Sequence, residues 1–123
     1  MTDVRDLASS DGMMAALFEA LPHPLVVTDL HFIVAANASA RRLLKYDSPS
    51  QLIGRPVLDI LHPDTHEAAA HRSELLTRTQ GGLSRLPVKL LAADGSTVNV
   101  WVDATPVDHG SDRIVIFSYE LRA

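Results

Sequence analysis

The sequence predicts an α+β fold: a five-stranded antiparallel sheet with short helices on one face and an N-terminal helix over the other. Short β-branched segments indicate the strands, with one pair early in the chain and three near its end. Helix-start and helix-end signals lie between the two groups and indicate a helical insert. The dipeptide Asp94-Gly95, a strong hairpin turn, joins two of the late strands. The length of 123 residues fits one domain of this kind.

The N-terminal part of the chain predicts a flexible segment followed by a helix. Residues 1–10 are polar, and we expect them to be flexible. An amphipathic helix is expected over 11–21, because apolar side chains recur there at helical spacing and Pro22 follows. Residues 22–123 are expected to form the core of the domain. The apolar face of the helix contains Met13, Met14, Leu17 and Phe18.

The first two strands are expected at 25–29 and 32–36, where short runs are rich in Val, Ile and Ala. Only two residues, Leu30-His31, separate them, which indicates a hairpin. After the second strand the pattern becomes helical. Asn37 is suited to cap the next helix, since its side chain can accept a hydrogen bond from the first turn.

The helical insert contains two further start signals. Ser48 followed by Pro49, with Gln51 three residues after Ser48, is typical of the beginning of a short helix. The longest helix is expected over 63–79, because Pro63 suits its first turn and a pair of glycines follows it.

The final third predicts three strands, at 85–92, 97–107 and 113–121. Alternation along the second of them divides its side chains between two faces. Trp101 falls on the more polar face, which we assign as the outer face. A Trp in such a place is usually covered by a neighbour. The opposite, apolar face contains Val98, Val100, Val102 and Ala104.

The order and spacing of these segments resemble the PAS family over about residues 17–121. The resemblance implies that the first and last strands lie side by side near the middle of the sheet. It also implies a sensing or protein-interaction module without catalysis of its own, the input module of a larger bacterial regulator such as a kinase, a phosphatase or a transcription regulator. The residues that carry it are Leu21-Pro22, Val27-Thr28-Asp29, Asn37, Ala40, Leu43-Leu44, Leu52-Ile53-Gly54-Arg55-Pro56, Leu61-His62-Pro63-Asp64, Asp94-Gly95-Ser96-Thr97 and Ala104-Thr105-Pro106-Val107.

The composition excludes several kinds of site. The chain has no Cys, which removes disulfides, thiolate metal sites and cysteine nucleophiles. Within the PAS family, the flavin–cysteinyl adduct and the cinnamoyl thioester chromophore both require a Cys, so neither is expected. We interpret His62 and His66 as solvent-facing side chains near a helix start, and no metal site is expected.

Charge and hydropathy limit the partners. The net charge is −4, no run of Lys or Arg occurs, and Arg41, Arg42 and Lys45 are the only local basic group, so neither nucleic acid nor a membrane is an expected partner. No apolar stretch approaches the roughly 20 residues that span a bilayer. The first residues include Asp3 and Asp6 where a secretory signal would be basic, so we expect a cytoplasmic protein.

Three functions remain open for the interior of the domain. A ligand-free interaction module needs only a plain core. A sensor would bind haem or a small apolar ligand, and His71 is the candidate haem ligand because it resembles the ligating His of oxygen-sensing PAS domains. A small isomerase-like α+β enzyme is the other alternative, although no catalytic residues are expected. A cavity, if present, is expected to be lined by Val27, Ile33, Leu44, Leu75, Val100 and Val102.

A homodimer through the N-terminal helix and the outer sheet face is the expected assembly, and an effector domain or a partner protein would receive the signal. The reason is that the apolar side of this helix and the lone Trp both need a cover, which the helix supplies by folding back or by exchange with a second subunit. The predicted partner face contains Met13, Met14, Leu17, Phe18 and Trp101.

Overall fold

The computed structural model of the chain describes residues 12–78, 83–110 and 112–122. Residues 1–10, predicted to be flexible, lie outside the described residues. Helices and strands follow the order expected from the sequence. They are α1 (Gly12–Ala20), β1 (Leu25–Thr28), β2 (Ile33–Ala36), α2 (Ala38–Leu44), the 3-10 turns Pro49–Gln51, Val57–Ile60 and Pro63–Thr65, then α3 (His66–Arg78), β3 (Leu83–Leu91), β4 (Thr97–His109) and β5 (Asp112–Leu121).

The strands form one antiparallel sheet in the order β2-β1-β5-β4-β3. The first and last strands are neighbours, with Leu25 opposite Ser118 and Thr28 opposite Val115. The ladder between β4 and β5 is the longest and runs from Val100 to His109 on β4. The predicted α+β architecture and the expected position of β1 beside β5 are both confirmed.

Asn37 ties the start of α2 to β1 and is fully buried. Its side-chain oxygen accepts hydrogen bonds from the backbone N–H groups of Ala40 and Leu25, both at 3.0 Å. Its amide nitrogen donates to the carbonyl of His23 at 2.8 Å. The predicted helix cap is therefore confirmed, and the same side chain also holds the entry to the first strand.

The hairpin between β3 and β4 turns at Asp94-Gly95, as predicted. Gly95 has a φ of +86°, a backbone conformation that suits glycine. The Asp94 carboxylate accepts hydrogen bonds from the N–H and the hydroxyl of Ser96, at 3.0 and 2.6 Å. Lys45, at the end of α2, pairs with the same carboxylate at 3.0 Å and so links the hairpin to the helical insert.

The core lies between the inner face of the sheet and the helical insert, in two clusters. The larger cluster contains residues of all five strands, of α2 and α3 and of the 3-10 segments, and its fully buried members include Leu44, Ile60 and Leu90. The smaller cluster joins Leu76 of α3 to Ala104 and Val115 on the sheet. Full burial of each large aliphatic side chain contributes about 1.5–3 kcal/mol.

The N-terminal helix α1 is tied to α2. The guanidinium of Arg41 donates to both carboxylate oxygens of Glu19, at 2.8 and 2.9 Å. Ser39, on the same helix as Arg41, donates its hydroxyl to the carbonyl of Pro22 at 2.8 Å. The side chains of Met13 and Leu17 on α1 remain 71% and 56% exposed.

Trp101 lies on the outer face, as the alternation predicts, and cationic side chains stack on its ring. The guanidinium of Arg85 on β3 is 5.0 Å from the ring centroid, and that of Arg122, just after β5, is 4.9 Å from it. Arg85 also forms an ion pair with Glu120 at 2.8 Å. The sequence predicted that α1 covers Trp101; in the described part of the chain, Arg85 and Arg122 cover its ring instead.

Candidate functional site

A cavity of about 400 Å³ lies between α3, the 3-10 turn Val57–Ile60 and the inner face of the sheet. This volume is within the range of about 300–1,000 Å³ that is typical of small-molecule pockets. The lining residues are mostly apolar. They are Leu30, His31, Pro56, Val57, Leu58, Leu61, Ala69, Ala70, Arg72, Ser73, Glu74, Leu76, Val88, Val102, Phe117 and Tyr119.

The cavity exists because the helix facing the sheet carries small side chains. Ala69, Ala70 and Ser73 of α3 all line it, and each is too short to reach the sheet and fill the space. Leu76, one turn after Ser73, is 1% exposed and closes one end by joining the smaller core cluster. The space between helix and sheet is therefore open where the side chains are short and filled where they are long.

The floor of the cavity consists of inner-face residues on three adjacent strands. Val102 on β4 lies opposite Tyr119 on β5, and Val88 on β3 also faces the cavity. The rings of Phe117 and Tyr119 are stacked, with centroids 6.4 Å apart and planes 10° from parallel. Two aromatic side chains in the floor suit an apolar or aromatic ligand.

Tyr119 supplies a polar group within this apolar floor. The residue is 3% exposed, and its hydroxyl has no hydrogen-bond partner among the described residues. Burial raises the pKa of the Tyr119 phenol well above its ordinary value of 10.0, so the group is neutral and retains its proton. A buried phenol that faces a cavity with its donor unused is available to a bound molecule.

Arg72 on α3 brings a positive charge to the same cavity. Its side chain is partly buried, and within the described ranges its guanidinium has no ion pair or hydrogen bond. Burial lowers the pKa of Arg72 from its ordinary value. An arginine nevertheless stays charged at neutral pH, so Arg72 brings a permanent positive charge to the cavity.

The cavity differs from the one expected from the sequence. Among the six predicted lining residues, Val102 lines it. Ile33, Leu44 and Val100 are 0–1% exposed and belong to the packed core. Val27 follows the inward-facing Val26, so alternation places it on the outer face. The sixth residue, Leu75, is partly exposed and does not line the cavity. Sequence periodicity predicts which face of a helix or strand is buried. It does not predict the distance between a helix and the sheet, which determines where a cavity forms.

His71 does not face the cavity, although the sequence made it the candidate haem ligand. It is exposed on α3, whereas its neighbours Arg72 and Ser73 line the space. Consecutive side chains on a helix are rotated by about 100° around its axis, so a residue that is one position away from an inward-facing residue can point to solvent. The imidazole therefore lies away from the space where a haem iron would need its ligand. The geometry does not favour haem ligation by this residue.

The other histidines near α3 take part in local hydrogen bonds. Nδ1 of His62 accepts from the N–H of Asp64 at 3.1 Å, which caps the turn Pro63–Thr65. Nε2 of His66 lies 3.1 Å from the carbonyl oxygen of Leu58 and 3.0 Å from that of Leu61. In the part of the chain that the structure describes, no group of three or more His, Asp or Glu side chains could hold a metal ion.

The predicted partner face is divided between two regions. Met13 and Leu17 are exposed on α1, Phe18 is partly exposed there, and Trp101 is partly exposed on β4 beneath its two arginines. Met14 belongs to the same helix. Over residues 12–78, 83–110 and 112–122, no helix is both long and apolar enough to cross a membrane.

Three solved structures with this fold illustrate the likeness. The chain is similar to the PAS domain of an HTR-like protein from Haloarcula marismortui, at 19% identity and a TM-score of 0.78, with 96% of each chain covered. It is similar to a PAS domain from Colwellia psychrerythraea, at 23% identity and a TM-score of 0.75, with 91% of this chain and 98% of that chain covered. For a PAS domain from a two-component sensor histidine kinase, the identity is 15% and the TM-score 0.76, with 90% of this chain and 95% of that chain covered.

At sequence identities of 15–23%, the similarity to these structures shows a shared fold and nothing about function. No curated protein matches the sequence. The model of the PAS fold family, however, matches residues 12–121, which include every strand and helix described above. The chain therefore belongs to the PAS family.

Proposed function

We propose that this PAS domain is the sensory input module of a larger cytoplasmic signalling protein, and that the small molecule it senses binds in the cavity beneath α3. The observation that carries the proposal is the cavity itself, about 400 Å³ in volume, with a mostly apolar lining and two side chains, Arg72 and Tyr119, whose donors form no hydrogen bond with any described residue. One of the similar PAS domains belongs to a two-component sensor histidine kinase, which supports an output of the kinase type.

The signal would leave through β5. This strand contributes Phe117 and Tyr119 to the cavity floor and ends at Leu121. Arg122 follows directly, donates its N–H to the carbonyl of Asn99 at 3.0 Å, and stacks on the outer-face Trp. A ligand that prefers one arrangement of the cavity floor shifts the population of that arrangement, and the end of β5 shifts with it.

Native mass spectrometry of the full chain, purified without refolding, tests the ligand-binding proposal. We expect a bound small molecule that is released on denaturation. Ser73→Phe places a ring at the cavity wall and should abolish this binding. His71→Phe, two residues away on the exposed side of the same helix, is the matched control and should retain it. Ligand-free wild-type spectra, together with no thermal stabilisation by a broad library of small metabolites, would contradict the proposal.

A second proposal concerns assembly. Met13 and Leu17 on α1 are 71% and 56% exposed, and Val107 on the outer sheet face is 36% exposed. Large apolar side chains with such exposure are typical of surfaces that bind another protein. A homodimer through α1 and the outer face would cover them and leave the inner-face cavity accessible.

Sedimentation velocity tests the dimer. The wild type should sediment with twice the monomer mass, Leu17→Glu should sediment as a monomer, and Trp101→Ala should shift toward monomer. Arg42→Glu, an exposed change on α2, is the control and should leave the dimer intact. A monomeric wild type at high concentration would end the dimer proposal without affecting the cavity.

A further inference from the structure

The cavity contains a charge that no described side chain neutralises. Arg72 lines the space and has neither an ion pair nor a hydrogen bond within the described ranges. Glu74, the acidic residue at the rim, is exposed and has an interaction of its own, so it is not a free carboxylate. A partly buried cation without a partner is costly, because it has lost water and gained nothing in exchange. A bound anion would supply the missing interaction.

The phenol of Tyr119 adds a second donor of a different kind. It is 3% exposed, lines the cavity and has no hydrogen bond to any described residue. Both Tyr119 and Arg72 line this same cavity. A guanidinium and a neutral O–H together match the two oxygens of a carboxylate.

The number of charges favours a monoanion. Arg72 is the one cationic side chain among the described lining residues, and the carboxylate of Glu74 also lines the cavity, so a monoanion is favoured over a phosphate dianion, which would leave a charge unpaired in a mostly apolar space. The other lining residues determine which chemical groups can make up the uncharged part of the ligand. Leu61, Leu76 and Val88 supply apolar contacts, and the two stacked rings supply aromatic ones.

We infer that the molecule bound in the cavity is an amphipathic monocarboxylic acid, aromatic or aliphatic. Its carboxylate pairs with Arg72 and accepts a hydrogen bond from Tyr119, and its apolar body lies against Phe117, Val102 and Leu76. This inference rests on the proposed sensing function, since it names the chemical class of the ligand for the same cavity.

Calorimetric titration of the wild-type chain with matched probes tests the inference. The acids are octanoate and 3-phenylpropionate, and the neutral probes are octanamide and 3-phenylpropanamide, which keep the shape without the charge. Because a charge-assisted hydrogen bond changes affinity by about 10- to 100-fold, at least one acid should bind that much more tightly than its amide. Octyl phosphate should bind more weakly than octanoate.

Two variants locate the carboxylate. Arg72→Gln should weaken binding of the acid by about 10- to 100-fold and leave the amide unchanged. Tyr119→Phe removes one oxygen and should weaken the acid by about 3- to 10-fold. Arg42→Gln and Tyr46→Phe, whose side chains do not line the cavity, are the controls and should bind like the wild type.

The outcomes separate this inference from the proposed function. Equal affinity for acid and amide, or unchanged binding of the acid by Arg72→Gln, would overturn the carboxylate while ligand sensing stands. Tighter binding of octyl phosphate would do the same. A neutral bound molecule in native mass spectra, with no affinity for either acid, would also overturn the inference alone. Ligand-free native spectra without binding of any probe would overturn both.

Discussion

Replacing Asn37 by Ala should produce one of the largest losses of stability that a single polar side chain can cause in this domain. The side chain is fully buried and makes three hydrogen bonds: to Ala40 in α2, to Leu25 in β1 and to the carbonyl of His23. The loss of the helix cap costs about 1 kcal/mol. The two other backbone groups lose their partners at partly buried positions, at about 1 kcal/mol each.

The expected decrease in the free energy of unfolding is therefore about 3 kcal/mol. For a domain of roughly 100 residues, each kcal/mol lowers the midpoint of thermal unfolding by about 4–8 °C, so a drop of about 12–24 °C is expected. Urea denaturation followed by circular dichroism measures the free energy. Asn99→Ala is the matched control, because its exposed side chain lies on the outer face of β4. A loss below about 1 kcal/mol for Asn37→Ala would refute the assigned hydrogen bonds.

Three further changes test other parts of the structure. Gly95→Ala should destabilise the domain by about 1–2 kcal/mol in urea denaturation, since φ is +86° there, whereas Gly12→Ala at an open helix start should not. Hydrogen bonding to Arg41 lowers the pKa of Glu19 below 4.5, so this pair stabilises the fold above that pH and ceases to do so as pH falls through the lowered pKa. Urea midpoints measured across acidic pH should show this loss in the wild type, and a Glu19→Gln variant should lack that component. Tyr119→Phe should leave thermal stability without ligand unchanged or slightly higher, because the removed hydroxyl has no partner among the described residues; a clear loss of stability would show that it does.

Much of the fold could be predicted because its signals are local. Asn37 caps a helix through a bond three residues away, and Asp94-Gly95 forms its turn with the next residue. Such contacts depend on the chemistry of adjacent residues and are therefore visible in the sequence. The order of the strands is not local, and it came from the resemblance to the PAS family.

The cavity could not be predicted, because it depends on the distance between two surfaces that are far apart in sequence. Val100 and Val102 have the same residue type and share a strand face, yet the first is sealed in the core and the second lines the cavity. One signal was present: the small residues at positions 69, 70 and 73 cannot fill the space below a helix. Whether these small residues leave a cavity depends on the side chains of the opposing strands, which are distant in sequence.

The polar residues of the cavity were hidden for different reasons. Arginine is a residue type that is usually found on the surface. Arg72 follows the exposed His71 directly, and only a rotation of about 100° around the helix axis directs it to the cavity. Tyr119 lies in a strand that is apolar on both faces, so alternation could not assign its direction. In the structure, Tyr119 lies opposite Val102 in the sheet, so both side chains point to the inner face.

A small molecule bound between α3 and the inner face of the sheet would change the environment of the side chains there. Methyl-resolved NMR of the full chain, titrated with the compound released from the purified protein, detects this change. We expect shift changes at Val88 and Val102 and contacts from the compound to the ring of Phe117, with Val27 and Val107 unaffected. Shift changes confined to Val27, Val107 and the methyl of Met13 would place the compound on the outer face and rule out binding in the inner-face cavity.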